Sequence, residues 1–265
     1  MKQTFIILCW ASIIVCSSCV KDASCDDPAS INFGASEACI FIDSTSHALL
    51  FKMTGTWCPP CGSWGAIEMK NRLSKYPSAI GIEVHFNDNM SSEVSNKWVS
   101  HFANIDFPEF YWNNDVSSVD QLLTTKPRLG LAMSYEKKGG KMTVQTTVKA
   151  LEASLSSDLF IAVYLLEDGV IENQYATDHS AHPEWEYRNG RYPNYVHDRV
   201  LRGEASNYIF GRSFRQDQWL KGEIVELHSE LDLADEFGQD LYPVVAIWEN
   251  NSGTFTLINA LKGDY

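Results

Sequence analysis

Basic residues are scarce in this chain. Twenty-one lysines and arginines stand against 34 aspartates and glutamates, for a formal net charge of -13. A nucleic-acid-binding surface needs a basic face, so that class of partner is set aside. Long apolar runs are missing as well. The longest near the start, residues 4–15, falls short of the roughly 20 residues that cross a bilayer. No cysteine follows Cys61, so its Cys-x-x-Cys has no second half-site and a zinc reading of it fails. No internal repeat, low-complexity tract, phosphate-binding glycine loop, Ser-His-Asp order or paired-carboxylate motif stands out, and neither cofactor nor metal is expected. What is there is ordinary. Of 265 residues, 45% are hydrophobic and 21% charged, which suits two modest folded domains or one large one.

The N-terminus has the form of an export signal. Lys2 is a minimal positive region, residues 4–15 (TFIILCWASIIV) are the apolar core, and Ser17 and Ser18 precede Cys19. Ser-Ser-Cys after such a run looks like a lipobox, in which Cys19 becomes the first mature residue and carries lipid. Cys16 departs from the Leu or Val usual at that position. The alternative is an ordinary cleaved signal with Cys19 incidental. The expectation is a signal peptide over 1–18 and a mature chain held to a membrane by lipid on Cys19.

Of the seven cysteines, Cys9 and Cys16 leave with the signal and Cys19 takes the lipid. Cys25, Cys39, Cys58 and Cys61 remain. An even remainder suits an oxidising compartment. Adjacent pairing gives Cys25–Cys39 and Cys58–Cys61. Other pairings would consume the Cys-x-x-Cys, and two free thiols in a tether are a further option for Cys25 and Cys39. A Cys25–Cys39 bridge would contribute about 3 kcal/mol in the chain-entropy description.

Residues 19–38 are small, acidic and aperiodic, and read as a tether. Residues 39–43 suggest a short strand. Residues 48–53 (ALLFKM) read as a buried strand leading into Thr54-Gly-Thr-Trp-Cys-Pro-Pro-Cys61. Ala66, Met69, Leu73 and Tyr76 then share a helical face until Pro77. Ile80, Ile82, Val84 and Phe86 alternate as a strand. A helix over 92–102, an aromatic strand over 106–112 opening near Pro108, and a short helix over 117–125 follow. This is an α/β order. From Leu129 the texture is β. Two alternating runs flank Gly139-Gly140, residues 159–166 (LFIAVYLL) form a buried strand, and further strands follow over 225–233, 242–248 and 254–261. The expectation is an α/β domain over 39–127 and an all-β, immunoglobulin-like sandwich over 128–265, interrupted by a polar insertion at about 169–215.

The Cys-x-x-Cys carries the chemistry. A cysteine at a helix N-terminus has its thiolate favoured by the dipole and the free amides. That thiolate attacks a disulfide, and the second cysteine resolves the mixed species. Cys58 is therefore the expected nucleophile and Cys61, expected within the first helical turn, the resolving thiol. Pro60 fits a helix start, where its missing N–H costs nothing. Trp57 is expected to shield the pair. A plain structural disulfide is the alternative. The strand–CxxC–helix order resembles thioredoxin-like proteins, which carry a cis proline opposite the motif; Phe107-Pro108 has the right order and distance. Thioredoxin also keeps a buried acid six residues before its first cysteine, where this chain has Lys52.

Over nearly the whole mature chain the sequence resembles the twenty-eight-kilodalton outer-membrane-protein (Omp-twenty-eight-related) family. The matching residues are Thr54-Gly-Thr-Trp-Cys-Pro-Pro-Cys61, Phe107-Pro108, Tyr195-Val-His-Asp-Arg-Val-Leu-Arg-Gly203 and Val244-Val-Ala-Ile-Trp-Glu-Asn250 with Ile258-Asn-Ala260. The resemblance implies a thioredoxin-like domain followed by a β-sandwich, in an outer-membrane-associated lipoprotein. Two functions stay open: an envelope thiol–disulfide oxidoreductase acting on protein thiols or disulfides, and a binding lipoprotein that uses the thioredoxin-like domain as scaffold. Asp178, His179, His182 and Glu184 read as a polar loop rather than metal ligands. His197, Asp198, Arg199 and Arg202 read as closing a domain interface or bracing the insertion, with binding of an anion or a partner as the alternative. Phe107, Phe110, Tyr111 and Trp112 suit either a groove beside the motif or core.

Overall fold

Seven consecutive buried residues, Ala48–Thr54, form β1. A strand covered on both faces carries a continuous apolar run rather than an alternation. Turns then lead through the cysteine motif into α1 (Trp64–Lys75), which buries Gly65 and Met69. β2 (Ala79–His85) runs parallel to β1, from Ala48↔Ala79 to Thr54↔His85. α2 (Glu93–Phe102) opens on a reciprocal cap: the Ser92 hydroxyl accepts from the Ser95 N–H, and the Ser95 hydroxyl accepts from the Ser92 N–H. β3 (Glu109–Trp112) pairs antiparallel with β1, and α3 (Val119–Thr124) follows. The computed structural model describes residues 24–36, 39–103, 105–114, 119–152, 155–156 and 158–263. Cys19 and the expected signal peptide lie outside them.

The rest of the chain is strand after strand. β4 (Leu129–Lys138) and β5 (Lys141–Ala150) make the expected hairpin. Then come β6 (Leu155–Ser156), β7 (Asp158–Glu167), β8 (Val170–Tyr175), β9 (Arg191–His197), β10 (Val200–Glu204), β11 (Arg212–Arg215) and β12 (Gln218–Trp219). β13 (Ile224–Asp232), β14 (Leu241–Asn251) and β15 (Thr254–Lys262) close the chain. Strand outweighs helix by 45% to 12%, so the protein is mostly β.

The largest sheet is mixed, in the order β15-β14-β7-β10-β2-β1-β3, with β11 added on β7. A smaller antiparallel sheet holds β13, β5 and β4. Along β7, Ile161, Val163 and Leu165 join an apolar cluster with Leu131, Val144 and Val148 of the smaller sheet. Ala162, Tyr164 and Leu166 join the opposite cluster, which includes Phe51, Trp98 and Trp248. That double cover is why LFIAVYLL shows no alternation.

The stretch expected as a polar insertion turns out to be structural. β10 lies between β2, through Val200↔Glu83, and β7, through Val200↔Glu167 to Glu204↔Tyr164. Val200 and Leu201 are fully buried. The stretch reads as polar because its charges are themselves paired inside: Arg202 Nε is 2.6 Å from Glu167 Oε2. Strands from both sides of residues 127/128 thus share one sheet. Among the described residues, no second strand follows β3 at its edge; the sheet is extended instead past β2.

The chain groups into Met1–Cys39 and Ile40–Tyr265. In the first, the described residues form turns closed by Cys25–Cys39, with sulfurs 2.13 Å apart. Cys25 N–H donates to Ala35 O and Gly34 N–H to Cys25 O, at 2.9 and 2.7 Å. In the second, the strand expected over 39–43 shrinks to one bridge, Asp43↔Leu131. Among the described residues, no helix is long and apolar enough to cross a membrane.

Candidate functional site

The sulfurs of Cys58 and Cys61 lie 2.10 Å apart. The Cys61 N–H donates to Cys58 O at 3.1 Å and also lies 3.2 Å from Cys58 Sγ. α1 begins at Trp64, so Cys61 sits in the turns ahead of the helix rather than in its first turn. Those turns are continuous with it, because the N–H groups of Ser63 and Gly65 both donate to Pro60 O. The Phe107–Pro108 peptide is cis. Pro108 is packed on the start of α1: a Cβ added at Gly65 would fall 2.7 Å from Pro108 Cγ.

Trp57 does not lie buried over the pair. It is 42% exposed, its indole N–H donates to Phe86 O at 2.8 Å, and its ring rests 5.3 Å from that of Phe107. Cys58 and Cys61 are nonetheless only 2% and 1% exposed. The chain lying against them is the end of β8, a strap the sequence did not suggest. Gln174 Nε2 is within 3.1 Å of Cys58 O, 3.2 Å of Gly55 O and 2.9 Å of Tyr175 O. Tyr175 N–H donates to Thr56 O at 2.8 Å, and Thr177 N–H to Ser63 Oγ at 2.7 Å. The approach is so close that a Cβ on Gly62 would stand 2.3 Å from Tyr175 O. Only glycine allows it.

The strap gives a direct prediction. Gln174→Ala removes the donor shared by the carbonyls of Gly55 and Cys58, each of which keeps one backbone N–H donor, a loss of about 0.5–1.5 kcal/mol. If the strap opens before the disulfide can react, reduction by dithiothreitol should speed up about tenfold per 1.4 kcal/mol lost. An unchanged reduction rate in a folded variant would mean that the strap does not control access.

Lys52 neither reaches solvent nor stands alone. It is buried, with Nζ 3.3 Å from Glu83 Oε2, its partner in the β1–β2 register. Arg199 lies 3.5 Å from Glu83 Oε1. Burial pulls the Lys52 ammonium pKa down, against the attraction of Glu83. Burial alone would raise the Glu83 carboxyl, but Lys52 and Arg199 outweigh it and hold it at about 2. His85, two residues on and on the same face, bonds through Nδ1 to Asp88 Oδ2 at 2.8 Å. His197 sits edge-on to His85, ring centroids 5.2 Å apart. Burial first, and then His85, push its pKa down to about 3. The Nε2 atoms of both histidines are buried without a partner. Sequence reasoning missed Glu83 and His85. The signal was present: polar residues at alternate positions inside the apolar strand AIGIEVH.

The other sequence candidates have structural duties. His179 Nε2 bonds Trp185 O at 2.7 Å, and His182 stacks on Trp185 at 3.7 Å, against a small cluster around Tyr192 and Tyr195. Asp178 accepts from Ser180 N–H, and Glu184 stands 3.6 Å from His182. Asp198 accepts from Gly169 N–H, while Arg199 and Arg202 tie β10 to β2 and β7. Tyr111 is core, stacked on Phe102 at 3.7 Å. Phe110 and Trp112 stay half-exposed.

No family model matches the chain, and no curated protein matches it. Among solved structures, HBP35 of Porphyromonas gingivalis is similar in fold, with a TM-score of 0.60 at 14% identity, over 83% of this chain and 76% of that one. Protein AGR_C_4864 from Agrobacterium tumefaciens aligns over 83% of this chain and 95% of its own, at 9% identity and a TM-score of 0.44.

Proposed function

We propose that the chain is a thiol–disulfide oxidoreductase of the cell envelope, held to the outer membrane by lipid on Cys19. In this reading residues 39–127 are a thioredoxin-like half, and residues 128–265 are an immunoglobulin-like sandwich built onto the same sheet. The observation that carries it is the Cys61 N–H held 3.2 Å from Cys58 Sγ at the entry to α1. A sulfur so placed is favoured as a thiolate. The Cys58 thiolate attacks a partner disulfide, forming one S–S bond and releasing one partner thiolate. The Cys61 thiolate then attacks Cys58 Sγ and releases the partner's second sulfur. The partner gains two electrons, and Cys58–Cys61 is oxidised. The exposed Trp57 and Trp64 flank the motif and offer a partner an apolar foothold.

A second reading has its own observation. Cys58 lies beneath the β8 strap, which suits a stable disulfide in a binding lipoprotein whose working surface is elsewhere. Redox titration against glutathione and dithiothreitol buffers separates the two. An exchanging pair should titrate between about -270 and -120 mV, and Cys61→Ser should accumulate mixed disulfides in cells. A pair that stays oxidised below about -300 mV, with no trapped partner, would leave the binding reading standing.

A further inference from the structure

We propose that Glu83, His85 and His197 form a buried site for a divalent metal ion of the zinc class, with two imidazole ligands and one carboxylate. One donor atom from each lies within 4.8 Å of the others, and all three residues are buried. The two histidines come from β2 and from the end of β9, so only the tertiary fold unites them.

Three features point to a ligand. First, the Nε2 atoms of both imidazoles are buried and unpartnered, at 0% and 1% residue exposure. A buried ring nitrogen normally finds a partner. Second, Asp88 fixes His85 as the carboxylate behind a metal-bound histidine does. With Nδ1–H donated to Asp88, the Nε2 lone pair is left for a metal. Asp88 is itself anchored by the N–H groups of Thr56 and Met90, both at 2.9 Å. Third, there is a way in. A cleft of about 910 Å³, lined by Glu83, Arg199, Tyr195, His182 and Trp185 among others, opens onto the carboxylate.

Two imidazoles and a carboxylate suit zinc and its neighbours rather than calcium or magnesium, and a three-ligand set leaves a fourth position open. At zinc bond lengths of about 2.0–2.1 Å, tetrahedral donors stand about 3.3 Å apart, so the widest pair must close by at most roughly 1.5 Å. Lys52 and Arg199 are the competitors, since they hold Glu83 Oε2 and Oε1 at 3.3 and 3.5 Å.

The test uses the chain with Cys9, Cys16 and Cys19 replaced by serine and both disulfides intact, so that no thiolate competes for metal. Zinc is titrated calorimetrically, and cobalt(II) serves as the spectroscopic probe. The expected result is one ion per chain with a Kd of about 1 μM or below, and the intense visible absorption of four-coordinate cobalt. His85→Gln and His197→Gln should each weaken binding at least about 100-fold, and Asp88→Asn about 10- to 100-fold. Lys52→Met should tighten binding, and His182→Gln should leave it unchanged. Absence of stoichiometric binding by the parent protein overturns the site whatever the variants do. So does binding that survives His197→Gln, or that disappears with His182→Gln.

Discussion

Glu83→Ala is expected to lower the unfolding free energy by about 3–5 kcal/mol, read from urea or guanidinium unfolding in metal-free buffer. The carboxylate is the one negative group between Lys52 and Arg199 in their ion pairs, at 3.3 and 3.5 Å. Removing it strands a buried ammonium whose side chain is only 3% exposed, beside a guanidinium. Lys52→Met should cost less, because Arg199 still faces Glu83 and is 30% exposed. The double variant Lys52→Met/Glu83→Leu should recover most of the loss, since an apolar pair replaces two desolvated charges. A loss below about 1 kcal/mol in Glu83→Ala would show that the ion pairs are dispensable.

Trp98→Ala carries the second large effect, about 3–5 kcal/mol, from lost burial and the cavity left behind. Trp98 is fully buried, with ring centroids 4.4 Å from Phe51, 5.4 Å from Phe210 and 6.3 Å from Trp248. Phe51 belongs to β1, Trp248 to β14, and Phe210 lies just before β11. The cavity therefore opens between residues from both halves of the chain. Calorimetry should show one transition moving as a whole to lower temperature. Two transitions in the parent, of which the variant shifts only the first, would mean that residues 39–127 and 128–265 unfold independently.

Much of this was legible in the residues. The continuous run before Cys58, the three-and-four spacing after it, the alternation around Gly139-Gly140 and the double-faced LFIAVYLL and VVAIW runs are local patterns. Each is set by how one strand or helix must bury its own apolar face. So is the placement of the cysteine pair, since a Cys-x-x-Cys between a buried strand and a helix has little freedom. β10 was not legible. Val200 and Leu201 are two apolar residues among charges, too short a run to show a period, and only their insertion between β2 and β7 makes them core. Lys52 could be read either way until its β-register placed it beside Glu83.

The sequence by itself determined most elements of the first half, the hairpin around Gly139-Gly140, the buried strands over 159–166 and 242–248, and the placement of Cys58 and Cys61 between β1 and α1. Periodicity and turn chemistry act over a few residues, and the chain spells them out. The tertiary structure alone decided what surrounds that pair: the β8 strap that buries it, and the meeting of Glu83 and His85 with His197. Those depend on which strand lies beside which. That is fixed by the mutual burial of faces far apart in the chain, and no local pattern encodes it.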